Sequence, residues 1–469
     1  MSAATAVRPD RLQRILGQAQ ADRGRLDGGA FGLWSLTALG IASVVGAGIF
    51  VSTGVAASEY AGPAVVISFA LAGVAALLTA LCYAELAAMM PVAGSTYSYV
   101  FVAFGVLPAW IIGWDLLCEY LFAASTVAVG WSGYATSLLG SAGIHLPDTG
   151  PVNLPAVLVV GACTWLLVRG TRESAKANLA IVALKLGSLL LVVLAGIFYV
   201  KSANWHPLVP HNEGGFGEFG LSGILRGAGA LFFAYIGFDA VSTAAGEARD
   251  PQRTVPLALV GTVLVATTLY IAVGFVLTGL VPYTSLDVAD PISKALRDVR
   301  PLGWLDEVVD VTAVIGLFAT VLVTLYGQIR ILMRMSSDGM LPPLFGRVDP
   351  RRRTPVGSTL VCGAACALVA AFVPIDVLGD FVSIGTLLAF VLVGAGVVVL
   401  RRTHPTAERP VRLPHVEWIA GGGVISSLAL MATLPVSTWL RLTVWLVIGL
   451  AIYFGYSRAR VGRSLPPSP

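Results

Sequence analysis

The sequence predicts an all-α polytopic membrane protein with twelve transmembrane helices, and three observations predict it. Hydrophobic residues make up 56% of the chain and charged residues only 12%, about half the share usual in a soluble domain. Apolar windows of about 20 residues, each able to cross a hydrocarbon core of roughly 30 Å, recur along its length. Lysine and arginine collect in alternate loops.

The spans are read at 33–57, 63–89, 98–139, 154–168, 177–200, 222–246, 256–281, 308–334, 357–373, 379–400, 416–434 and 438–457. The third is too long for a perpendicular helix and is expected to tilt or to extend beyond the bilayer. Twenty-three of the thirty Lys and Arg residues fall on the side that holds both termini, six on the other, and Lys185 within a span. Residues 1–32 therefore read as a cytoplasmic segment, 33–457 as the twelve-helix domain and 458–469 as a cytoplasmic tail, multi-pass in the inner (plasma) membrane. Topology already accounts for the basic loops, including "RVDPRRRTP", so the +4 net charge is no argument for nucleic acid. Membrane lipid is the expected surround.

Cys82, Cys118, Cys163, Cys362 and Cys366 lie inside apolar segments with no CxxC pair and read as small core residues. All five histidines fall in connections, so no intramembrane metal or histidine relay is expected. The N-terminus has arginines but no short apolar core before residue 30, unlike a secretory signal. No GxSxG or HExxH motif points to an enzyme, and no cofactor is expected.

Two spans are interrupted. The first contains "VVGAGIF" (44–50), with Gly46 and Gly48 two positions apart. A dinucleotide fingerprint would need GxGxxG after a strand, and close helix packing is the plainer reading of a lone glycine pair. The sixth span, however, carries Gly237 and Asp239 in "YIGFD" (235–239). Interruptions five spans apart point to inverted repeats, about 33–200 and 222–400, with two helices appended. Broken backbone at membrane depth requires a buried or water-lined cavity. The N–H groups of Gly46, Ala47 and Gly48, flanked by Val45 and Ile49, suit a carboxylate, while carbonyls near Phe233, Ala234 and Ile236 suit an ammonium. A ligand with both groups on one carbon is an L-amino acid.

Several separate motifs extend this. "GIASVVGAGIFVSTG" (40–54), "CYAELAAMMPVAGSTYSYV" (82–100), "WDLLCEYLFAASTVAVGWSGY" (114–134), "RESAKANLAIVALKLG" (172–187), "FFAYIGFDAVSTAA" (232–245), "DPQRTVP" (250–256) and "YGQIRILMRMSSDGMLPP" (326–343) occur in order. Over roughly residues 30–410 the chain resembles the amino acid, polyamine and organocation transporter superfamily, in particular a bacterial member of its cationic amino acid transporter branch. The resemblance implies a LeuT-type fold, alternating access and amino acid uptake usually driven by protons. It also implies carboxylate binding at Gly46, Ala47 and Gly48, carbonyl contacts from Phe233, Ala234 and Ile236, a gate at Phe233, and a side-chain pocket around Thr320 and Thr324. Where relatives commonly carry two glutamates after span six, this chain has Gly246-Glu247, which bears on intracellular gating.

Charges within spans complete the candidate set. Lys185 lies eight residues into span five, roughly 12 Å along it, further than its stem snorkels. A charge this deep costs about 3 kcal/mol or more on insertion scales, so a proton-coupling role is expected. Asp115 and Glu119 share one helix face; neutralising buried charge, proton relay, substrate contact and structural pairing all stay open, with Glu119 the better coupling candidate. Asp239 answers a cationic side chain or caps a half-helix. Glu85 and Glu247 are expected at an interface, and Trp110, Trp114, Trp131 and Tyr134 in belts or packing. A mainly neutral substrate range, with cationic amino acids open, is expected, as are proton symport or exchange without net proton movement. A non-transporting sensor is disfavoured by short tails and a channel by the paired breaks. The protein is expected alone as a monomer or beside an accessory single-span helix.

Overall fold

The computed structural model describes residues 11–13, 15, 17, 32–91, 95–144, 152–170, 175–337, 339–349, 352, 354–458 and 460. The two terminal segments assigned from sequence to the cytoplasm lie almost wholly outside these residues. The described chain is helical, with no strand among the described residues. Among the described residues eight helical stretches are long and apolar enough to cross a membrane, and Leu33–Val44, Leu154–Arg169, Val356–Phe372 and Val416–Ala432 are shorter apolar helices.

The helices pack in two groups. Leu33–Val44, Val65–Met89, Gly220–Leu231 and Pro251–Leu280 form one; Val106–Ser141, Leu154–Arg169, Gly303–Ser337 and Val356–Phe372 form the other. Water does not drive helices together within lipid, so close approach of small residues has to. Gly73 faces Thr267 so closely that a Cβ there would lie 2.6 Å from its methyl, and Gly327 gives the Tyr120 ring its space in the second group. Ile375–Thr403 runs beside both groups.

The long third span is not one tilted helix. Ser95–Phe104 and Val106–Ser141 are separate, divided at Gly105 with φ +95°. A continuous apolar pattern hid this break, and only the backbone conformation, natural to glycine, creates it. Glu85, about one turn from the end of Val65–Met89, is buried against charged partners. It is 1% exposed and accepts from Arg401 Nε at 2.8 Å, Arg401 Nη2 at 2.6 Å and the Leu413 N–H at 3.0 Å. Trp110 and Trp114 donate to Gly449 O and Trp445 O, pinning the Val436–Ile452 helix. Trp131 and Tyr134 donate to Val314 O and Phe50 O.

Candidate functional site

The first interruption forms because Leu33–Val44 ends with Val45 at ψ 89°. The backbone resumes helical hydrogen bonding only when the Ile49 and Phe50 N–H groups donate to Gly46 O, both at 3.3 Å. The N–H groups of Gly46, Ala47 and Gly48 precede that first bond and so have no intrahelical acceptor. The second interruption follows the tight turn Phe232–Tyr235: Ile236 is extended (ψ 140°) and Gly237 has φ +102°. A Cβ on Gly237 would also lie 2.9 Å from Ser43 Cβ. Glycine is needed there both for the backbone and for the contact between the two breaks.

Both breaks border a cavity of about 820 Å³, within the range of small-molecule sites. Its wall includes Gly46, Ala47, Gly48, Phe233, Ile236, Asp239, Thr320, Lys185 and Glu119, which the fold brings together from five separate parts of the chain. It reaches the surface at Tyr326, Arg330 and Arg334, all exposed. At the other end Phe233 is 6% exposed, and its N–H donates to Ser383 Oγ at 3.1 Å.

Val45, Ile49 and Ala234 stand behind this wall. Val45 O accepts from Lys185, Ile49 O from the Thr53 hydroxyl, and Ala234 packs on Gly48. The Glu247 side chain lies outside the described part. Lys185 is 2% exposed. Its Nζ donates to Val45 O (2.8 Å), Ala42 O (3.3 Å) and Thr320 Oγ1 (2.7 Å), three acceptors for three protons. Among the described residues no carboxylate forms an ion pair with it. The acidic side chains sit elsewhere: Glu119 is 5% exposed with Oε2 lacking a partner, and Asp115, 1% exposed, has no partner for either oxygen among the described residues. Asp115 turns toward Gly385 and away from the cavity.

Sequence reasoning missed Tyr270. From Pro251–Leu280 its hydroxyl reaches Val44 O and Ala234 O, both at 2.9 Å, so one proton serves the carbonyls exposed by both breaks. A fully buried tyrosine needs a hydrogen-bond partner, and that was the only signal available. Tyr270→Phe should lower stability by about 1–3 kcal/mol by leaving buried carbonyls without a donor. Thermal unfolding of the purified variant tests this, and an unchanged midpoint would show that the bridge contributes nothing.

The chain is similar to known proteins over most of its length. Residues 31–457 match the family model described as amino acid permease. The chain is 42% identical over 435 residues to the methylthioribose transporter of Bacillus subtilis (strain 168), covering 91% of this chain and 92% of that protein. It is also 42% identical over 440 residues, again 91% and 92%, to the branched-chain amino acid permease BcaP of the same organism. The vacuolar cationic amino acid transporter 4 of Arabidopsis thaliana is 37% identical over 380 residues, covering 79% of this chain and 63% of that protein.

Proposed function

The chain belongs to the amino acid permease family, and from that premise we propose that it takes up L-amino acids across the plasma membrane by proton symport and alternating access. The observation that carries this reading is the meeting of the Gly46, Ala47 and Gly48 N–H groups, which have no intrahelical acceptor, with Ile236, Asp239 and Lys185 around one cavity. The N–H groups receive the substrate carboxylate and the Ile236 end of the second break receives its ammonium, the pattern expected of discontinuous membrane helices. Ala234 O takes less part than its position in the sequence suggests, because Tyr270 already donates to it.

The two packed helix groups support a LeuT-type arrangement of inverted repeats with two appended helices, since each group draws corresponding helices from both halves. The arginine-rich face, where Arg330 and Arg334 meet the cavity, is assigned to the cytoplasm with both termini. The conformation is then inward-open, with Phe233 closing the outer side. Lys185 carries the coupling proton: once it is lost the amine keeps two N–H donors for three acceptors, so one of Val45 O, Ala42 O and Thr320 Oγ1 loses its donor, which ties proton release to the geometry beside the first break. Glu119 is its second candidate.

Ala123, Val127 and Val323 on the cavity wall favour neutral, apolar side chains, in keeping with the branched-chain permease relative. Glu119 and Asp239 leave cationic substrates accessible. The equal identity to a methylthioribose transporter supports a second reading, a thioether sugar as substrate. Uptake of labelled L-leucine into proteoliposomes, competed by L-alanine, L-arginine and methylthioribose, separates the two. Neutral amino acids should compete most strongly; no leucine uptake by vesicles that do accumulate labelled methylthioribose would overturn the amino acid reading.

A further inference from the structure

We propose that Gly316 is a positioning residue that seats the Lys185 side chain, and so sets where its ammonium stands against the first break. This inference rests on the coupling role given to Lys185 above. The Lys185 stem lies against the bare backbone of Gly303–Ser337 at Gly316. A Cβ there would fall 2.6 Å from Lys185 Cε, 2.9 Å from Cγ and 3.2 Å from Cδ. The side chain has no slack with which to yield, since it is 2% exposed and its ammonium is held by Val45 O, Ala42 O and Thr320 Oγ1. Moving Cγ shifts the whole stem, and the head then loses at least one acceptor.

The same stretch supplies the partner one turn later. Thr320 Oγ1 donates its own proton to Gly316 O at 2.9 Å, which turns an oxygen lone pair toward Lys185 Nζ at 2.7 Å. Gly316 thus provides both the space for the stem and the carbonyl that orients the hydroxyl receiving the head. Helix packing alone does not account for the glycine, because the three nearest atoms to its missing Cβ all belong to Lys185.

The test introduces Gly316→Ala into the native chain and into a Lys185→Ala background. In the native chain it should reduce proton-gradient-driven leucine accumulation by about tenfold, as expected for an overpacked site, and lower the thermal midpoint. In the Lys185→Ala background the added methyl occupies vacated space, so the midpoint should not fall further. An equal loss of midpoint in both backgrounds, or undiminished accumulation by Gly316→Ala, would overturn the assignment. If Gly316→Ala alone does not fold, folding of the double variant supports the proposal and its failure defeats it. Failure of the coupling reading appears separately: Lys185→Ala would then accumulate leucine as the native protein does, while the midpoint comparison still decides whether Gly316 seats the lysine.

Discussion

Gly46→Leu should abolish uptake in a protein that still folds and inserts, whereas Gly48→Leu should damage the fold itself. A Cβ at Gly46 meets only Thr320 Cγ2, at 3.4 Å, and the space beyond belongs to the cavity. A leucine there projects where the substrate carboxylate is to sit. At Gly48 a Cβ would fall 2.3 Å from Ala234 Cα and 2.5 Å from Ala234 Cβ, into the backbone of the second break. Overpacking of that kind forces backbone shifts. Size-exclusion profile and thermal midpoint of the purified variants, read beside uptake, check both halves. Full transport by a well-folded Gly46→Leu would remove the first break from the substrate site.

Asp380→Ala should destabilise the protein by about 3–5 kcal/mol, the usual consequence of stripping one partner from a buried ion pair. Asp380 Oδ2 accepts from Arg226 Nη2 at 2.6 Å, with the two side chains 10% and 7% exposed. Arg226 also lies over the Tyr60 ring, 4.5 Å from its centroid, and donates to the Tyr60 hydroxyl at 3.3 Å. The pair joins the Gly220–Leu231 helix to Ile375–Thr403 on the Phe233 side of the breaks, three residues from Ser383. Replacing both partners, Arg226→Met with Asp380→Leu, should restore most of the loss because no charge is then left buried. Denaturant unfolding of the single and double variants decides it; a single variant as stable as the parent would show that water reaches Arg226.

The breaks themselves were legible because glycine and acid interrupt otherwise continuous apolar runs, and Lys185 because a charge stands out in such a background. The pattern that reveals a span conceals events within it, which is why the Gly105 break between two apolar helices went unread. Gly316 was equally silent, since a glycine in an apolar helix is ambiguous until the atoms facing it are known. The partners of Glu85 were hidden for a related reason. Sequence distance from a helix end says nothing about Arg401, some three hundred residues away, which pairs with it. The difference between Gly46 and Gly48 is the sharpest case. Both belong to one short motif, yet one faces space and the other faces Ala234, and only tertiary packing separates them.

The central claim is tested most directly by leucine accumulation in proteoliposomes held with and without an inward proton gradient. The account predicts that the gradient raises internal leucine above the equilibrated level and that a protonophore abolishes the excess. Equal final levels in both conditions would contradict proton symport and leave exchange as the mode of transport.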